Sequence, residues 1–132
     1  MNAVDAFSAS YAEARVKFLG AAASAGLVVE SHAHPLRGRD GEALAMDVVL
    51  DGQADAAALL IVSSACHGVE GYCGTGVQVF ALHDSIWRAQ AHAAGVAVLY
   101  IHGLNPYGFS HLRRTTHENV DLNRNFHTFQ AS

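Results

Sequence analysis

Ala57-Ala58-Leu59-Leu60-Ile61-Val62-Ser63-Ser64-Ala65-Cys66-His67-Gly68-Val69-Glu70-Gly71 is the stretch from which the fold can be read. Its first six residues are an unbroken apolar run of strand length, the pattern of a strand buried on both faces, and the rest is a turn marked by glycines. His67 and Glu70 therefore leave the carboxyl end of a strand three residues apart, where open α/β sheets keep their sites. An imidazole and a carboxylate so spaced are a pair of metal donors; a catalytic zinc needs one further protein ligand and an open position for water. The pattern H-x-x-E is short, and it also arises as a loop histidine beside a solvated glutamate.

Downstream, residues 75–94 carry Val79, Leu82, Ile86, Ala89 and Ala93 on one stripe with Phe80 and Trp87 beside it, which predicts one long helix ended near Gly95. Val96-Ala97-Val98-Leu99-Tyr100-Ile101 is a second continuous apolar run. Strand, helix, strand is a βαβ crossover with parallel strands. Upstream, the spacing predicts an amphipathic helix from about Val4 to Ala25 and a strand from Leu27 to His34, ended by Pro35. A polar turn over 37–42 and a strand from Ala43 to Leu50 complete a hairpin. The expectation is an α/β fold: a mixed sheet with an amino-terminal hairpin and a parallel βαβ core, helices on both faces, and the site at the carboxyl ends of the strands. His32 and His34 share one face of the first strand and read as surface histidines. Cys66 reads as a small buried thiol.

The chain has 132 residues, 51% of them apolar, enough for one domain with a real core. Eight basic residues against twelve acidic ones give a formal charge of -4, with no basic run, so neither nucleic acid nor an anionic membrane surface is indicated. Met1-Asn2-Ala3-Val4-Asp5 carries an acid where a signal peptide carries basic residues, and no apolar stretch is long enough to span a bilayer; a cytoplasmic location is expected. Two cysteines are too few for a disulfide framework, and their spacing is not that of a zinc ribbon. Nine histidines are the unusual feature, and they favour metal chemistry.

The last thirty residues hold a second group of polar residues. His102-Gly103-Leu104-Asn105-Pro106-Tyr107-Gly108-Phe109 follows the second apolar run, then come Arg113-Arg114 and Asp121-Leu122-Asn123-Arg124-Asn125-Phe126. A guanidinium offers a fixed two-pronged donor to a carboxylate, and a neighbouring amide donates to the same anion. The alternative for these arginines is surface ion pairing, with Arg124 bridging to Asp121 or Glu118.

H-x-x-E after a strand, N-P-x-G-F, an arginine pair and D-L-N-R-N-F, in that order, resemble the zinc carboxypeptidase family, and within it a bacterial branch known only as a domain of unknown function. The resemblance runs from about Leu59 to Phe126. It implies that His67 and Glu70 are zinc ligands, that Asn123 and Arg124 grip the terminal carboxylate of a substrate, and that Arg113 stabilises the oxyanion, with Arg114 as the alternative register. It implies zinc-assisted hydrolysis of a peptide or amide bond next to a free carboxylate. The family's third zinc ligand and its general base lie beyond the D-L-N-R-N-F motif, so residues 1–132 are expected to be the amino-terminal part of one such domain, truncated and inactive by itself. His102 is the first candidate for a substitute ligand, with His111, His117 and His127 behind it. Two other readings remain: an aspartoacylase-like amidohydrolase of acyl-amino acids, which uses a similar pair of motifs, and a non-catalytic half-domain that binds metal weakly or self-associates through an uncovered sheet edge.

Overall fold

The structure is a computed structural model and describes residues 1–128. After a 3-10 turn over Ala3–Ala6, helix α1 spans Tyr11–Ser24, strand β1 Val29–Arg37 and strand β2 Ala43–Asp51. Strand β3 spans Ala58–Ser63, helix α2 Gly71–His83, helix α3 Ser85–Ala93, strand β4 Val96–His102 and the short helix α4 Pro106–Ser110. The four strands form one sheet in the order β1-β2-β4-β3. β1 pairs antiparallel with β2 and β2 antiparallel with β4, while β3 and β4 run parallel. This is the expected mixed α/β sheet, with the hairpin and the βαβ crossover where the sequence puts them.

Three element boundaries differ from the sequence reading. The first helix starts at Tyr11, not Val4, because the Ser10 side chain accepts a hydrogen bond from the Glu13 amide and caps it there. The long helix is two helices: Asp84 is extended (φ -84°, ψ 94°), and its carboxylate accepts hydrogen bonds from the Ile86 and Trp87 amides, ending α2 and starting α3. β1 runs through Pro35 to Arg37, with its pairing irregular between Ala33 and Arg37. An edge strand tolerates a proline, since an outward position has no ladder bond to lose.

Alternation sorts the strand residues onto two faces. Val49, Val98 and Tyr100 point toward Phe18, Ala21 and Ala22 of α1 and Val79 and Leu82 of α2, and these form the main core. Trp87 and Ala91 of α3 pack on the same cluster. Leu50, Leu59 and Leu99 alternate with these and line a shallow hollow on the opposite side. There the expected covering helices are not supplied by the described residues. A second cluster of Tyr11, Ala14, Leu44, Ala65 and Phe109 closes the end of the sheet at which β3 and β4 finish.

Candidate metal and carboxylate site

β3 hands the chain directly to the site. The Ser64 amide donates to the Ile101 carbonyl, the Leu104 amide to the Ser64 carbonyl and the Asn105 amide to the Ala65 carbonyl, so the ends of β3 and β4 stay stitched together as they leave the sheet. Ala65 sits at φ 60°, a left-handed conformation that a residue with a Cβ rarely adopts, and it turns the backbone sharply just before His67. Gly68 then lies against α4. A Cβ built on it would fall 2.0 Å from the Gly108 carbonyl carbon, so only glycine allows the two loops to touch. The Val69 amide donates to the Arg113 carbonyl, tying this turn to the closing loop.

His67 is held at both ring nitrogens. Nδ1 lies 3.1 Å from Glu70 Oε1, and Nε2 lies 3.0 Å from Asp121 Oδ1. The imidazole is largely buried, Glu70 is exposed, and Asp121 lies in between. A neutral imidazole has one N–H, so it donates to one carboxylate and presents a lone pair to the other. Two carboxylates on one ring are therefore both satisfied only when a cation, a proton or a metal, stands on the second nitrogen. Asp121 also accepts from Arg114 Nε at 2.8 Å and from the Asn123 amide at 3.0 Å. With Arg114 as the main cause and His67 assisting, its carboxyl is held down to about 2.

Asn123 and Arg124 lie on a 3-10 turn over Leu122–Arg124, which Asp121 caps. Both are exposed, and no ion pair to Arg124 forms among the described residues. It is Arg114, not Arg124, that bridges to Asp121. Arg113 is occupied within its own loop: Nη2 lies 3.2 Å from Thr115 Oγ1 and 3.4 Å from Asn119 Oδ1, and the guanidinium stands 5.8 Å over the Tyr107 ring.

The closing loop thus reaches the His67 turn through Asp121 and the Arg113 carbonyl. A family described as "Protein of unknown function (DUF2817)" matches residues 7–132. The chain belongs to DUF2817. Among curated proteins nothing matches it. Among solved structures this DUF2817 chain is similar to the esterase LipW from Mycobacterium marinum, at 17% identity and a TM-score of 0.34, over 67% of this chain and 25% of that one. It is also similar to a glutaminyl cyclase from Porphyromonas gingivalis, at 18% identity and a TM-score of 0.38, over 79% of this chain and 48% of that one. The chain spans less than half the length of either.

Asp121 is the site residue that reading the DUF2817 sequence leaves without a role of its own. Its contact with His67 spans 54 residues, and only the path of the closing loop creates it. The aspartate of D-L-N-R is the available signal, since a ligating histidine needs an acceptor for its other nitrogen. No three His, Cys, Asp or Glu side chains among the described residues are arranged to share one metal ion. His102 is fully buried, bonded through Nε2 to Thr75 Oγ1 at 2.7 Å and stacked on Phe18 at 4.5 Å, so it serves the core. His111 packs on Tyr107, as does His117, which also meets His34 edge-on; His34 is thus half-buried rather than a free surface residue. Cys66 is only partly buried, and burial with Asp121 and Glu70 nearby raises its thiol. No described helix is long and apolar enough to cross a membrane.

Proposed function

We propose that this DUF2817 chain carries the metal-and-carboxylate half of a zinc-dependent hydrolase site of the metallocarboxypeptidase type, acting on a peptide or amide bond next to a free carboxylate. The observation that carries the reading is the double anchoring of His67: Asp121 takes Nε2, which leaves Nδ1 turned toward Glu70. That is the arrangement of a ligating histidine whose far nitrogen is held by a carboxylate.

His67 Nδ1 and Glu70 are donors that suit zinc, and they are two where a catalytic zinc takes three from protein. Bound zinc supplies a Lewis acid and lowers the pKa of its water. The residues of this chain contribute positioning and recognition. Asp121 holds the imidazole in one tautomer and orientation. Arg124, exposed and unpaired among the described residues, together with Asn123 offers donors for the terminal carboxylate of a substrate. Arg113 is assigned to the oxyanion, and reaching it requires releasing Thr115 and Asn119; Arg114, one carboxylate away from His67, is the alternative.

Calorimetric titration of the 132-residue chain with zinc tests the proposal. Weak binding, lost in His67→Ala, is expected, together with no hydrolysis of peptides ending in a free carboxylate. Absence of zinc binding at millimolar metal would remove the metal reading. Peptide turnover that His67→Ala abolishes would instead show that the site is already complete.

A further inference from the structure

Three of the nine histidines meet around one tyrosine. His34 and His111 stack on the Tyr107 ring at 6.0 and 4.1 Å, His117 meets it edge-on at 5.7 Å, and His34 and His117 lie 5.0 Å from each other. They come from β1, from the end of α4 and from the closing loop. His117 sits on a turn that is bonded within itself. The Asn119 amide donates to the Thr116 carbonyl, the Thr116 amide to the Val120 carbonyl and the Val120 amide to Thr116 Oγ1. Residues 116–120 are therefore a compact tip, and His117 seats that tip on β1 and α4.

The seat suits a neutral His34. The Leu36 amide donates to His34 Nδ1 at 3.1 Å, which requires a lone pair there and leaves the single ring proton at Nε2. A second proton at Nδ1 would face that amide N–H. It would also set a cation 5.0 Å from His117 and beside the Tyr107 ring over which the Arg113 guanidinium already stands, at 5.8 Å. A tyrosine ring attracts a cation over its face, and Arg113 fills that place. The anions nearby are engaged elsewhere. From the closing loop, Glu118 lies exposed, 3.9 Å from His117 Nε2. Glu42, at the foot of β2, is committed to the Ser110 hydroxyl and the Asp40 amide, and β2 from Ala43 to Met46 carries no charge. On β1 itself Glu30 pairs with His32 at 2.8 Å, and Arg37 gives its carbonyl to His111 Nε2. Burial and His117 accordingly hold the His34 imidazole below its ordinary range. A group that resists a proton when seated and accepts one at about pH 6.5 when free favours the free form as the pH falls.

We propose that residues 116–120 are a pH-operated flap, seated on His34 and Tyr107 through His117 near neutral pH and lifted when His34 takes up a proton. The loop is fixed on both sides of this tip. The Arg113 carbonyl accepts from the Val69 amide and the Arg113 amide donates to the Gly108 carbonyl, while Asp121 holds His67. The side-chain tie across the tip, Arg113 Nη2 to Asn119 Oδ1, is long at 3.4 Å. Movement is thus confined to the tip itself. Lifting carries Thr116, His117 and Glu118 away from His34 and Asn105, and it widens the cleft of about 320 Å³ that these residues share with Leu122 of the turn bearing Asn123 and Arg124. The inference is independent of the hydrolase reading.

Nuclear magnetic resonance on the isotope-labelled 132-residue chain, from pH 7.5 to pH 5, tests it. Cross-relaxation peaks between the His34 and His117 rings, and between the His117 and Tyr107 rings, are expected at the upper end and lost at the lower. The loss should follow the titration of the His34 ring signals and leave the Val98 and Tyr100 amides of the core in place. In His34→Phe, which keeps a ring against His117 but takes no proton, the peak between His117 and Tyr107 should persist to distinctly lower pH. His117→Phe removes the facing imidazole and should raise the His34 midpoint. Ring peaks that are absent at pH 7.5, that persist at pH 5, or that vanish at the same pH in His34→Phe would overturn the proposal. So would an unchanged His34 midpoint in His117→Phe, or loss of the Val98 and Tyr100 signals together with the ring peaks, which would mean that acid unfolds the whole chain.

Discussion

Asp121 decides what the neighbouring imidazole can do. It holds Nε2 at 3.0 Å, carries the Arg114 guanidinium on its other oxygen and caps the turn that presents Asn123 and Arg124. One carboxylate therefore links His67, the proposed metal donor, to the turn that carries Asn123 and Arg124, the proposed anion-binding pair. Replacing Asp121 by alanine leaves His67 free to rotate and to bond through either nitrogen. Zinc affinity should fall about 10- to 100-fold, the usual effect of removing the partner of a ligating histidine. Glu70→Ala, which removes a donor outright, should cost more. Calorimetric titration of the two variants side by side checks the order, and equal affinities for Asp121→Ala and the parent would deny Asp121 its orienting role. His67 and Glu70 were legible in the sequence because three residues of a tight turn suffice to bring them together. Asp121 was not, because its meeting with His67 depends on how a loop far along the chain returns across the sheet.

At the scale of elements, local chemistry decided what periodicity blurred. The apolar stripe through Val79, Leu82 and Ile86 reads as one helix, yet Ile86 is 71% exposed, so the stripe does not continue past Leu82. Asp84 interrupts it by accepting two amides at the start of α3, at 3.1 and 3.0 Å. A side-chain cap competes with helix continuation wherever the cap residue is free to extend, and aspartate is among the strongest at that task. Asp84→Ala should destabilise the fold by about 1 kcal/mol, read as a lower urea midpoint with an unchanged slope. A higher midpoint would mean that alanine lets α2 and α3 fuse and that the break was imposed by the aspartate alone. The βαβ crossover and the hairpin were legible because each rests on nearest-neighbour patterns, apolar runs separated by turn residues. The bare face of β3 was hidden, since an apolar run reads as buried whether or not the covering element is present.

Across the whole molecule, the sheet and its helices are joined by buried polar groups as well as by the apolar core. Arg15 of α1 grips Asp47 of β2 with two bonds of 2.8 and 3.1 Å, and Arg88 of α3 grips Asp51 with bonds of 2.7 and 3.2 Å while His92 adds a third contact. Burial works against ionising either aspartate, but the hydrogen bonds outweigh it and hold both carboxyls below their ordinary range. Between the same layers lies His102, where burial pushes the imidazole down to about 4, with Asp47 opposing and Arg15 adding to the effect. In the unfolded chain a histidine takes its proton at about pH 6.5. As pH falls from there toward 4, the unfolded chain binds a proton that folded His102 refuses. Stability from this residue is thus complete above about pH 6.5 and declines below it, by about 3 kcal/mol over the whole window. The aspartates act in a lower window: their contribution is intact above about pH 4 and is lost as the pH drops through their depressed folded values. His34, lowered by burial and by His117, adds a slope of the same sign as His102. Urea midpoints measured from pH 7 to pH 4.5 should therefore fall steadily in the parent chain. In His102→Phe, which keeps a ring against Phe18 but removes the titrating group, the midpoint should start lower, because Thr75 loses its partner, and fall distinctly less. Parallel pH profiles for the two proteins would mean that His102 is not held neutral by the core.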